Sequence, residues 1–137
     1  MTARTALIIG DNPSLYIQIS NLFHQHNCEF RIALDGSLPN DRLISLKPNF
    51  VLLDLPLRSA PGLQAIKQIA QILQLIRTRT MVMAPDPLLR RSDLQFADIR
   101  LAKPFSVHDA EIAVVQLLNM NQISESAPMR SDTRILY

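Results

Sequence analysis

The sequence predicts an α/β domain, a doubly wound sheet of five parallel strands in the order 2-1-3-4-5. Five short aliphatic runs recur along 137 residues, each bounded by Gly, Pro, Asp or Asn, and apolar residues at helical spacing lie between them. The runs are continuously apolar and do not alternate, as expected of parallel strands covered by helices on both faces. Right-handed crossovers then leave few topologies. In this one, ligands bind beyond the carboxyl ends of the strands, where the chain reverses direction between strands 1 and 3.

The first run is "TALIIG" (5–10). After it, Asn12 is placed to cap a helix with Pro13 at its first position, and Leu15, Ile19 and Leu22 give that helix an apolar stripe. "EFRIAL" (29–34) is the second strand, followed by a short helix over 38–46. "NFVLLD" (49–54) is the third, and Ile66, Ile69, Leu73 and Ile76 mark the helix after "APG". "TMVMA" (80–84) precedes a short helix over 86–95, and "IRLA" (99–102) is the last strand. Ser106 with Asp109 three residues on forms a capping box for a closing helix whose stripe is Ala110, Ala113, Val114 and Leu117. The domain is therefore expected to span 1–120. Residues 121–137 read as a polar linker or tail, although "TRILY" at its end parallels "RTALII" at 4–9 and leaves the opening of a following domain as an alternative.

A chain of this length supports one hydrophobic core. Apolar residues make up 47% and charged residues 19%, within the range of a globular protein, while aromatics are only 5% and Trp is absent, so aliphatic side chains must fill the core. The net charge of +2 comes from 14 basic and 12 acidic residues, too balanced for a nucleic-acid surface. Cys28 is the only cysteine, which excludes an internal disulfide. The N-terminal apolar stretch is too short for a signal peptide and no run is long enough to span a membrane, so a cytoplasmic protein without membrane contact is expected.

Three charged residues stand just past the predicted strands: Asp11 after the first, Asp54 after the third and Lys103 after the fifth. Two carboxylates and an ammonium converging on one crevice suit phosphoryl chemistry. Asp11 and Asp54 could hold Mg²⁺, which takes one or two carboxylates and keeps several waters. A carboxylate can itself be phosphorylated, and Lys103 would neutralise a phosphoryl oxygen as a point charge. Such chemistry is mostly positioning and charge neutralisation, so few residues suffice.

At these positions, over roughly residues 4–120, the sequence resembles the receiver domains of two-component response regulators. "ALIIGDNPSL" is similar to the receiver opening of a strand, an acidic pair and Asn-Pro, with only the second acid, Asp11, present. "VLLDLPLRSAPG" resembles the acceptor segment, with Gly62 eight residues beyond Asp54. "FADIRLAKPFS" resembles the family's closing pattern and supplies Lys103, Pro104 and Phe105. The resemblance implies a flavodoxin-like (βα)5 fold and no enzyme activity beyond self-phosphorylation. It implies Asp54 as phosphoacceptor, Lys103 as phosphate contact, and Asp11, Asp54 and the Pro56 carbonyl as Mg²⁺ ligands. The implied partners are a histidine kinase or phosphotransfer protein as donor, a downstream protein or fused output domain as reader, and a second copy in a homodimer.

Several positions depart from the pattern. Gly10 stands in place of the first acid, which weakens the expected Mg²⁺ site. Ala84 stands where receivers carry the Thr or Ser of the switch, and Arg100 replaces the Tyr or Phe that moves with it. Arg58 replaces a Pro four residues after the acceptor, and the interval from Ala84 to Lys103 is short, which puts either the fourth helix or its loop in question. The expected function is that of a phosphorelay receiver accepting a phosphoryl group on Asp54, which the joint presence of Asp11, Asp54 and Lys103 favours; the alternative is a pseudo-receiver interaction module that is not phosphorylated. A flavodoxin-like enzyme or FMN carrier would want a Ser/Thr/Gly-rich loop after strand 1, which "DNPSLY" is not.

Taken singly, Asp54 could be a strand-ending turn residue, Lys103 a surface lysine, and Asp11 part of a helix entry. Their joint placement favours a site. His24 and His26 are poorly spaced for metal ligation, and His108 is expected in solvent. Cys28, Met81 and Met83 read as apolar filler. Arg77, Arg79, Arg90, Arg91 and Arg100 read as a solvated basic face, with an acidic partner as the alternative.

Overall fold

The computed structural model describes residues 4–34, 40–56 and 63–120. Arg58, Gly62 and the 121–137 segment lie outside the described residues. The strands are β1 (Arg4–Gly10), β2 (Cys28–Leu34), β3 (Phe50–Asp54), β4 (Arg79–Pro85) and β5 (Ile99–Lys103), and the helices are α1 (Pro13–Gln25), α2 (Asn40–Leu46), α3 (Leu63–Leu75), α4 (Asp86–Leu89) and α5 (Val107–Leu118). All strand pairs are parallel and their order is β2-β1-β3-β4-β5, as expected. The helix expected over 86–95 is corrected: α4 has only four residues, and a single 3-10 turn at Ser92–Leu94 takes up the rest of the short interval.

Successive strand residues face opposite sides of the sheet, and the core divides accordingly. Ala6, Ile8, Phe50, Leu52, Met81 and Met83 pack under α1 and α5 with Ile19, Phe23, Ala113 and Leu117. Leu7, Ile9, Val51, Leu53, Val82 and Ala84 pack on the other side with Leu43, Leu73 and Leu89. Both faces of the central strands are covered, which is why every residue of β3 is buried and apolar until Asp54. Met81 and Met83 are core residues and Cys28 is buried, as expected.

The helices begin where their caps predict. Asn12 Oδ1 accepts from Leu15 N at 3.5 Å with Pro13 in the first turn, and Ser106 and Asp109 close a reciprocal capping box on α5. One expectation for α1 is corrected. Its fully buried stripe is Tyr16, Ile19 and Phe23, with Leu15 and Leu22 at the margin. An apolar face wider than 100° fits either phase, and packing against β1 chose the one that inserts the two aromatics.

Candidate functional site

Strand parity assembles the site. Phe50 and Leu52 face α1 and α5, so Asp54 does too, and the even-numbered β1 residues Ala6 and Ile8 put Gly10 on the same side. Ile9 is level with Leu53, which sets Gly10 beside Asp54 at the carboxyl edge. On β5, Ile99 and Leu101 pack on that face, and Lys103 follows them in phase.

Asp54 is 3% exposed. The Tyr16 hydroxyl, brought down from α1, donates to Asp54 Oδ2. The Lys103 ammonium forms an ion pair with Oδ1 and donates to the Leu55 carbonyl at 2.8 Å. Oδ1 is thus neutralised by charge while accepting no aligned hydrogen bond. Leu55 N donates in turn to Met83 O at 2.8 Å, which fixes the carbonyl that Lys103 uses. Burial, then the hydrogen bond to Asp54, and then the charges of Asp54 and Asp11 hold the Tyr16 phenol well above its ordinary value of 10.0. Tyr16 is therefore a permanent neutral donor at physiological pH.

The structure brings Asp54 and Lys103 together and places Asp11 at the end of β1, half-buried and near enough for its charge to act on Tyr16. Pro56 is exposed two residues beyond Asp54. Asp54 and Lys103 share the lining of a cleft of about 570 Å³ with Asn12, Leu15, Pro85 and Phe105. Ala84 is fully buried on the opposite core layer. Arg100 is exposed and donates to Gln95 Oε1 at 2.7 Å.

Sequence reasoning missed Tyr16. A signal was available: it stands four residues after the Asn12 cap, one turn into α1, on the helix that follows Gly10. A Cβ on Gly10 would lie 2.0 Å from Tyr16 Oη and 2.7 Å from Asp54 Cβ, so the Tyr16 hydroxyl and Asp54 as placed leave room only for glycine here. As arranged, these donors do not fit Mg²⁺, which demands near-octahedral oxygen ligands. Asp54 has both oxygens engaged, Gly10 offers no side chain, and no group of three His, Cys, Asp or Glu gathers among the described residues.

The basic residues are more paired than expected of a solvated face. Arg79 and Asp98 form a 3.1 Å bridge with side chains only 13% and 20% exposed, while Arg90–Asp86 and Arg91–Asp93 are surface pairs. His24, His26 and His108 are exposed, away from the cleft lining. Among the described residues no helix is long and apolar enough to cross a membrane.

No family model matches the chain and no curated protein matches it in sequence. Solved structures do match, and they are receiver domains. The chemotaxis response regulator CheY4 of Vibrio cholerae superposes with a TM-score of 0.65 at 17% identity, covering 85% of this chain and 99% of that one. The receiver domain of a sensor histidine kinase from Pseudomonas aeruginosa, with magnesium coordinated in its active-site cleft, gives 0.64 at 19% identity, covering 87% and 100%. The response regulator TrrA from Thermotoga maritima, in complex with Mg²⁺ and BeF, gives 0.64 at 17%, covering 83% and 98%. The fold is that of receiver domains.

Proposed function

We propose that this receiver-fold chain is a signalling domain that acts through protein–protein contacts, with Asp54 held closed and not phosphorylated. One observation carries this: Asp54 is buried with one oxygen bonded by Tyr16 and the other ion-paired to Lys103. A carboxylate so buried, with Tyr16 standing on one oxygen and the Lys103 ammonium on the other, lacks the open approach that attack on phosphorus needs. Two further features support a fixed surface. Ala84 brings no hydroxyl to bond a phosphoryl group, and Arg100 is an exposed cation tied to Gln95 and no aromatic rotor.

The competing function is phosphoryl acceptance on Asp54 from a histidine kinase or phosphotransfer protein, with Mg²⁺ held by Asp11, Asp54 and the Pro56 carbonyl. It is favoured by the shared cleft, in which Lys103 stands where it would neutralise the transferred group. In that case Asp54 would displace the donor's leaving group at phosphorus, forming an acyl phosphate. The two are separated by incubating the purified chain with acetyl phosphate and Mg²⁺ and reading the intact mass. The interaction module predicts no adduct. A phosphate adduct lost in Asp54→Asn would overturn it and establish the acceptor. The partners proposed for the module are other signalling proteins, a fused output domain or a second copy.

A further inference from the structure

We infer that Tyr16, admitted by the missing side chain of Gly10, takes the place of a divalent cation at Asp54 and is the residue that keeps this carboxylate closed to metal. The inference rests on the closed-site reading above and supplies its cause.

Three observations converge. Gly10 and Asp54 are level at the carboxyl edge and face α1. The Tyr16 side chain is wholly buried between them and the α1 core, with its hydroxyl bonded to Oδ2. A side chain at Gly10 would meet that hydroxyl and Asp54 Cβ, so an acid there would force Tyr16 out of its present place. Gly10 therefore offers no ligand atom, and the volume that a side chain would fill there holds a neutral hydrogen-bond donor instead.

The charge balance agrees. Asp54 carries one negative charge, and Lys103 answers it through Oδ1. Tyr16 adds a donor without adding charge, so the single negative charge of Asp54 is balanced by Lys103 without a metal ion. For a divalent ion to reach Oδ2, the hydroxyl must leave, and a hydrogen bond to a charged group in a buried place must be given up. Asp11 follows β1 at the same edge, and its charge reaches Tyr16.

The test is direct titration with Mn²⁺, followed by electron paramagnetic resonance of the free ion, in the full chain and in Tyr16→Phe. Wild type is expected to show no saturable site at millimolar Mn²⁺. Tyr16→Phe is expected to bind about ten-fold tighter or more, given the strength of the bond removed, and the gain should vanish in Tyr16→Phe/Asp54→Asn. Tyr16→Leu, also without a hydroxyl, should repeat the gain and serves if the Phe variant does not fold. Hydroxyl-free variants that bind Mn²⁺ no better than wild type would overturn the inference while leaving the interaction module standing. Saturable binding by wild type equal to that of Tyr16→Phe would also overturn it. An acyl phosphate on wild type, read by mass, strikes the closed-site reading itself.

Discussion

Asp54 is a buried anion with two partners of different kinds, one neutral and one cationic, and each can be removed separately. Tyr16→Phe deletes one hydroxyl and leaves Oδ2 without its donor, so unfolding should become easier by about 1–3 kcal/mol, read as a lower urea midpoint at unchanged slope. Gly10→Ala should cost about 1–3 kcal/mol by overpacking, because its methyl meets Tyr16 Oη and Asp54 Cβ. The two changes share a contact, so the double variant should lose less than the sum by roughly 0.5 kcal/mol or more. Strict additivity would show that Gly10 is not making room for the hydroxyl. At this scale Asp54, Asp11 and Lys103 were legible, since strand ends in a parallel sheet are where chemistry gathers and the residue types announce their charge. Tyr16 was not, because helical phase is ambiguous when Leu15 and Leu22 offer a stripe beside the true one.

The elements are closed in ways that make their own predictions. Three helices end in a residue of positive φ that is not glycine: Asn27, Lys47 and Arg77. Asn adopts this conformation readily, whereas Lys does so against its Cβ. Lys47→Gly should therefore stabilise the chain by about 0.5–1 kcal/mol, seen as a higher urea midpoint; a lower one would mean that the lysine makes a contact worth more than its strain. At the amino edge of the sheet, Asp98 accepts from the buried Thr80 N–H at 2.8 Å and pairs with Arg79. Asp98→Ala orphans that amide and should destabilise by about 1–3 kcal/mol, while leaving Mn²⁺ behaviour at Asp54 unchanged, because the two edges lie at opposite ends of the strands. Capping signals at Asn12 and Ser106 were readable because a cap is a local hydrogen bond. The short fourth helix was readable as a short interval. The pairing of Arg79 with Asp98, nineteen residues apart, was not, since strand register alone brings them together.

For the whole molecule, alkaline pH is the informative axis. Burial, then the Glu29 charge, against the lowering charge of Arg4, raises the Cys28 thiol from 9.0 to about 11, and Tyr16 is raised above 10.0. Both folded values exceed the unfolded ones. The unfolded chain then loses its protons first as pH rises, and stability falls with pH from about 9 upward, first through Cys28 and then through Tyr16. Urea midpoints between roughly pH 8 and 11 should show this, with Cys28→Ala flattening the earlier part of the decline and Tyr16→Phe the later. Slopes parallel to wild type would refute the assignment. Taken alone, the amino-acid order determined the five-stranded parallel architecture and the strand-end charges, because both arise from short-range pattern and from the few topologies right-handed crossovers permit. Only the tertiary structure decided that Asp54 is buried and bonded by Tyr16, because that depends on how closely α1 settles on β1. That distance is governed by one absent Cβ at Gly10 and one hydroxyl at Tyr16, which become neighbours only when helix and sheet have packed.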